Sequence, residues 1–200
     1  ITSKINKYKF KYKYIKNNPE KIVAELISKK NVVALVRSKM EFGPRALCNR
    51  SILASAEDHL INETLNKKLG RSEFMPFAPV SMENFSSKLY DIKGSQNKYS
   101  SMTITTKCKK LMRNLSPAAV HLDSTARPQL VNKKKHPFIF KILQEYYKIT
   151  KIPSLINTSY NMHEEPIVCT VEDALRAFKS SKLDYLFIEN YLIFLHLFLL

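Results

Sequence analysis

Two hundred residues make one domain of ordinary size, with an apolar fraction of 44% to fill a core and a formal net charge of +16. The 3 cysteines are few and widely spaced, with no C-x-x-C pair, which excludes a disulfide scaffold and a zinc ribbon. The charge invites a nucleic-acid or membrane-surface reading. However, lysine supplies 26 of the 33 basic residues in a chain also rich in Ile, Asn and Tyr, so a drift in composition explains it better.

In chain order, Lys7–Tyr14 alternates lysine with Tyr or Phe, the period of a strand, and such alternation also suits stacking on single-stranded nucleic acid. Asn18-Pro19-Glu20 reads as cap, first position and first-turn acid of a helix over Pro19–Lys30, stopped by Asn31. The run N-V-V-A-L-V predicts a buried strand, and Ser38–Ser51 is then the loop at its C-terminal end. Ser55 with Asp58 resembles a capping box for a helix through Leu69, closed by Gly70. Two prolines make residues 71–80 irregular, Ser81–Tyr90 a short helix and Asp91–Tyr99 a loop. Ser101–Thr106 and Ala118–Leu122 read as strands, Pro137–Lys148 as a helix with Phe138, Ile142, Leu143 and Tyr146 inward, and Ser154–Asn157 as a strand. Thr170 and Asp173 cap a helix to about Ser180, and Leu183–Ile193 offers one or two last strands. Strands alternating with helices predict an α/β or α+β domain built on one twisted mixed sheet with flanking helices.

Polar motifs follow the strands. The first loop gathers Lys39, Arg45, Asn49, Arg50 and Ser51 around Gly43-Pro44, a set suited to a polyanion; it is not a Walker motif. In a chain that favours lysine, Arg45, Arg50, Arg71 and Arg127 stand where a planar fork meets phosphate or carboxylate. His121, Asp123 and Thr125 precede Arg127, with His121 and Asp123 pointing the same way on an extended segment. Asn157, Thr158, Ser159 and Asn161 hydrogen-bond without charge, which suits a base, ribose or amide edge. The chain starts with Ile and shows no signal peptide, so it reads as a cytoplasmic fragment, and its apolar end (residues 194–200) is too short for a membrane span.

Four stretches in this order, E-F-G-P-R-A-L-C-N-R-S-I-L-A, P-F-A-P, A-V-H-L-D-S-T-A-R-P-Q and L-I-N-T-S-Y-N-M-H-E-E-P-I-V-C-T-V-E-D-A-L, resemble the C-terminal domain of the carbamoyltransferases that decorate antibiotics and nodulation factors. The likeness runs from about Val32 to Ile193, after a lead-in and first helix over residues 1–31. It implies a YrdC-like (Sua5-like) domain that binds ATP, with Mg²⁺, and carbamoyl phosphate, and forms carbamoyl-adenylate. A Kae1-like N-terminal domain, absent here, passes the carbamoyl group to a hydroxyl of a small-molecule acceptor. By this likeness Arg45, Arg50 and Arg127 serve catalysis. Lys39, Asn49, Ser51, Arg71, His121, Asp123, Thr125, Asn157, Thr158, Ser159 and Asn161 bind substrate or ATP, and no side-chain metal site is expected.

The chain departs from that pattern where the family carries glycine and this sequence has Ser38, Cys48, Ser124 and Glu164, and where it carries arginine and this sequence has Met75. Backbone shapes that only glycine reaches easily are then at stake. Two alternatives to the enzyme follow: a basic RNA-binding module and a degenerate, non-catalytic remnant.

Overall fold

A computed structural model describes residues 1–70 and 77–195. The elements in chain order are α1 (Thr2–Lys7), β1 (Lys11–Tyr14), α2 (Pro19–Ser28), β2 (Val33–Val36), β3 (Arg50–Ala54), α3 (Leu60–Lys68), β4 (Ala78–Met82), α4 (Ser86–Leu89), β5 (Thr106–Lys107), α5 (Lys110–Leu115), β6 (Thr125–Ala126), β7 (Gln129–Val131), α6 (Pro137–Thr150), β8 (Ser154–Ser159), α7 (Val171–Ser181), β9 (Tyr185–Ile188) and β10 (Tyr191–Phe194). One eight-stranded sheet runs in the order β1-β10-β9-β2-β3-β8-β4-β7, while β5 and β6 pair separately. The pairs β2/β9 and β4/β7 are parallel and the others antiparallel, as the expected mixed sheet requires.

Both faces of the sheet are buried, and the alternation of side chains divides the core into two layers. Val33, Leu35, Leu53, Leu155 and Phe187 face α2 and α6, packing with Val23, Ile27, Ile142, Leu143 and Tyr146. Ala34, Val36, Ile52, Ile156, Leu186 and Ile188 face the other way, toward Leu65 of α3 and Ala174, Leu175 and Phe178 of α7. A continuous apolar run such as Val32–Val36 is what a strand covered on both faces needs.

Two of the local signals form as read. The capping box forms: Asp173 N donates to Thr170 Oγ1 (3.1 Å) and Thr170 N to Asp173 Oδ2 (2.9 Å). Asn31 stops α2 by donating both its backbone N–H and its Nδ2 to Leu26 O. Asn18 makes no side-chain cap, so Pro19 at the first position and Glu20 in the first turn are what remain of that signal. The Ser55–Asp58 box is corrected as well. Ser55 is drawn into the core by Tyr146 Oη (2.9 Å), and Asp58 Oδ1 accepts from Leu60 N instead.

Three further expectations change. Ala78–Met82 is a strand despite Pro79, because pairing with β7 begins only at Val80, one residue past the missing N–H. Residues 118–122 are not a strand: Pro117 opens a 3₁₀ turn over Pro117–Ala119, and a tight turn at His121–Thr125 follows. Of the strand expected over 101–106 only Thr106 lies in a strand. Of the Lys/Tyr alternation, Lys7 ends α1 and Lys11–Tyr14 form the edge strand β1, all four residues exposed, with Tyr12 and Tyr14 edge-on to Tyr191.

Ser38, Cys48, Ser124 and Glu164 all have left-handed backbone, with φ of 49°, 82°, 63° and 63°. The shapes that favour glycine are therefore kept although the glycines are not. Ser124 and Glu164 make no side-chain hydrogen bond among the described residues. Ser124→Gly and Glu164→Gly are each expected to stabilise the fold by about 1 kcal/mol, read as a rise in the urea midpoint. An unchanged or lowered midpoint in both would mean that the left-handed geometry costs these residues nothing.

Candidate functional site

The ends of five strands meet at one end of the sheet. Val36, the last residue of β2, pairs with Arg50, the first of β3, and the intervening loop spans residues 37–49. Ser159, the last of β8, pairs with Ser51, and the starts of β4 and β7 lie alongside in the pairs Ala78–Asn157 and Val80–Gln129. The topology thus brings together the first loop, the segment before β7 and the N-T-S run.

The loop is tied down from within. Arg50 is 7% exposed, and its guanidinium donates to backbone carbonyls: Nη1 to Arg37 O (2.7 Å) and Asn49 O (2.8 Å), Nη2 to Ser38 O (3.1 Å), and Nε and Nη2 to Cys169 O (both 3.4 Å). Glu41 Oε1 accepts from Leu47 N and Asn49 N, both at 2.6 Å. Asn49 Nδ2 donates to Lys39 O (3.0 Å), and Ser51 Oγ accepts from Cys48 N (2.9 Å). Arg50, Asn49 and Ser51 therefore shape the loop. Arg50 does not sit as an open cation: its donors are spent on carbonyls.

Arg45 and Arg127 behave differently. A pocket of about 120 Å³ is lined by Arg45, Arg127, Phe77, Asn157, Thr158 and Ser159, among others. It adjoins a wider cleft of about 440 Å³, which shares Arg45 and Arg127 and adds Phe42, Gly43 and Thr103. Neither arginine has an ion pair among the described residues, and Arg127 Nε is buried with no hydrogen-bond partner there. Burial, and then repulsion from Arg45, lowers the pKa of Arg127. Two like charges therefore share a cleft whose described lining holds no carboxylate. The pocket also holds Asn157, 1% exposed, whose Oδ1 is buried and unpartnered among the described residues.

Sequence reasoning thus names five residues that the fold gathers: Arg45, Arg127, Asn157, Thr158 and Ser159. Asn161 stands just beyond, accepting from Ser159 Oγ (2.6 Å) and donating to Glu165 O (2.8 Å), so it fixes the turn after β8. Lys39 is exposed on the loop and lines neither cleft. His121, Asp123 and Thr125 are not brought to the arginines. They close on one another: Asp123 Oδ1 accepts from Thr125 N (3.0 Å) and Oγ1 (2.7 Å), and His121 Nδ1 lies 3.1 Å from Thr125 Oγ1. Those bonds from Thr125 hold the Asp123 pKa down. The extended geometry expected for His121 and Asp123 is corrected by this turn. Arg71 and Met75 lie outside the described residues.

Two residues of the site escape sequence reasoning. Glu41 organises the loop, and Gln129, fully buried, joins it to the neighbouring strands. Gln129 ends a motif already singled out, but a neutral amide gives no sign of its partners.

The family model described as "Carbamoyltransferase C-terminus" matches residues 24–194. Protein MJ1058 of Methanocaldococcus jannaschii is 40% identical over 188 residues, 94% of this chain and 30% of that protein. Nodulation protein NolNO of Sinorhizobium fredii is 35% identical over 171 residues, 85% of this chain and 25% of that protein. The chain thus spans less than a third of either relative. Among solved structures, full-length HypF in its phosphate- and nucleotide-bound form superposes with a TM-score of 0.62 at 21% identity, covering 86% of this chain and 25% of HypF. P. abyssi Sua5 complexed with L-threonine gives 0.58 at 11% identity, covering 84% of this chain and 45% of Sua5. Those likenesses are of fold.

Proposed function

The chain belongs to the carbamoyltransferase C-terminus family, and from that premise we propose that its arginine cleft binds the phosphates of ATP and carbamoyl phosphate and supports formation of carbamoyl-adenylate. One observation carries the reading: Arg45 and Arg127 face one cleft with no acidic partner among the described residues, beside the buried amide of Asn157. Mutual repulsion of two guanidiniums is a cost that a bound polyanion removes. A ligand carrying both phosphate and an amide N–H suits the cations together with Asn157 Oδ1.

In the reaction proposed, water releases inorganic phosphate from carbamoyl phosphate and leaves carbamate. A carbamate oxygen then bonds to the α-phosphorus of ATP, and the bond from that phosphorus to the bridging oxygen breaks, expelling pyrophosphate. Arg45 and Arg127 offset the charge gathered on the phosphates, and preorganised cations in a cleft act most strongly where charge develops. Thr158 and Ser159 orient the nucleotide. Lys39 and Arg71 add to the cationic field, and Arg50, Asn49 and Ser51 hold the loop that carries Arg45. Mg²⁺ fits as a passenger on the nucleotide phosphates, because the clefts' described lining offers no carboxylate to hold it. A further domain of the longer protein then moves the carbamoyl group to a hydroxyl acceptor. The retained left-handed geometry at Ser38, Cys48, Ser124 and Glu164 favours this reading over a degenerate remnant.

The test is ATP–pyrophosphate exchange driven by carbamoyl phosphate, measured on this chain. Exchange that depends on carbamoyl phosphate is expected. A folded chain that neither exchanges nor binds ATP would remove the reading.

A further inference from the structure

Residues 43–48, which carry Arg45, make no backbone–backbone hydrogen bond among the described residues. No strand pairing sets where that arginine sits, so side chains from elsewhere must. On the side facing the sheet two buried amides do this. Gln129 Nε2 donates to Leu47 O (3.2 Å), and Asn157 Nδ2 donates to Ala46 O (3.1 Å). The amides are joined to each other, Asn157 Nδ2 donating to Gln129 Oε1 at 2.8 Å. Cys48 closes the ring: its Sγ donates to Gln129 Oε1 (3.3 Å) and lies 3.4 Å from Asn157 Nδ2. All three are buried, Gln129 at 0%, Asn157 at 1% and Cys48 at 4% exposure.

Gln129 is the hub. It opens β7 two residues after Arg127, so the strand that follows one arginine also grips the loop that carries the other. We propose that Gln129 is a positioning residue that sets Arg45 against Arg127, so that both guanidiniums meet one polyanion. Removing it frees Leu47 O and leaves Asn157 Nδ2 with Ala46 O but without its partner on β7, while neither arginine is itself altered. An amide network is suited to this task because hydrogen bonds joined in a chain and shielded from water strengthen one another. The inference rests on the anion reading of the cleft.

The experiment is a double-mutant cycle read with inorganic pyrophosphate as the probe. Affinity is measured for the parent, Gln129→Met, Arg45→Ala and the double variant. Methionine keeps the length and volume but neither donates nor accepts as the amide does. Gln129→Met is expected to weaken pyrophosphate about tenfold in the parent background and less than twofold in Arg45→Ala, because the residue acts through that arginine. An equal loss in both backgrounds assigns Gln129 a general structural role and overturns the inference, as does no loss in either. If Gln129→Met does not fold, Gln129→Asn replaces it: the amide is kept but is one methylene too short to span both partners, and the same pattern is expected. A parent that binds no pyrophosphate removes the anion reading and this inference with it. A parent that binds, with an additive cycle, removes the inference alone.

Discussion

Arg45→Ala is expected to lower carbamoyl-phosphate-driven pyrophosphate exchange about a hundredfold, a loss of about 3 kcal/mol of transition-state stabilisation, without a fall in the urea midpoint. The two halves of that result have separate causes. Arg45 is exposed and has no hydrogen bond or ion pair among the described residues, so the fold does not depend on its side chain. It lines both clefts, and its charge acts on Arg127, so an anion bridging the pair loses half its cationic support. Arg45→Lys should recover part of the rate, since a point charge replaces the charge but not the fork. Exchange at the parent's rate in Arg45→Ala would take the arginine, and with it the cleft, out of the reaction.

Arg50→Met is expected to act on stability instead, by about 3 kcal/mol, seen as a fall in the urea midpoint of about 1.5 M at a slope near 2 kcal/mol per molar. The buried guanidinium serves carbonyls of Arg37, Ser38, Asn49 and Cys169, and a thioether leaves them without those bonds. Arg50→Lys is not expected to rescue, because one ammonium does not reach carbonyls spread around a planar fork. A variant with the parent's midpoint but no exchange would reverse the assignment and make Arg50 a direct ligand of substrate. Under the proposed function, two arginines five positions apart in one motif carry different roles, one chemical and one architectural.

That division is not legible in the sequence. Arg45 and Arg50 look alike there, and what separates them is the fold of the loop, which turns the carbonyls of Arg37, Ser38 and Asn49 onto Arg50 and adds Cys169 O from 119 positions away. The capping box at Thr170–Asp173 is legible because both partners lie within one turn. The gathering of Arg45, Arg127 and Asn157 is legible at the level of topology, since polar motifs that follow strands of one sheet collect at its end. The Ser55–Asp58 pattern misleads because Tyr146, in a helix from a distant part of the chain, competes for the serine hydroxyl. Gln129 is silent for the same reason: its value lies in partners 28 and 82 positions away. The strand at Ala78–Met82 is hidden by a proline whose missing N–H matters only if the neighbouring strand reaches it.

The strand order carries a consequence for how the chain reaches this state. The central strand β2 has β9 as its parallel neighbour, and Val32 N donates to Asp184 Oδ2, 152 positions later. As the chain leaves the ribosome, β2 can pair with β3 at once but must wait for nearly the whole sequence before its other edge is covered. β1 waits longer still for β10. Closing such loops costs entropy before any contact repays it, which places this domain among slow, high-contact-order folders. During that interval the edge of Val33–Val36 is a bare apolar template, open to pairing with another chain until β9 arrives.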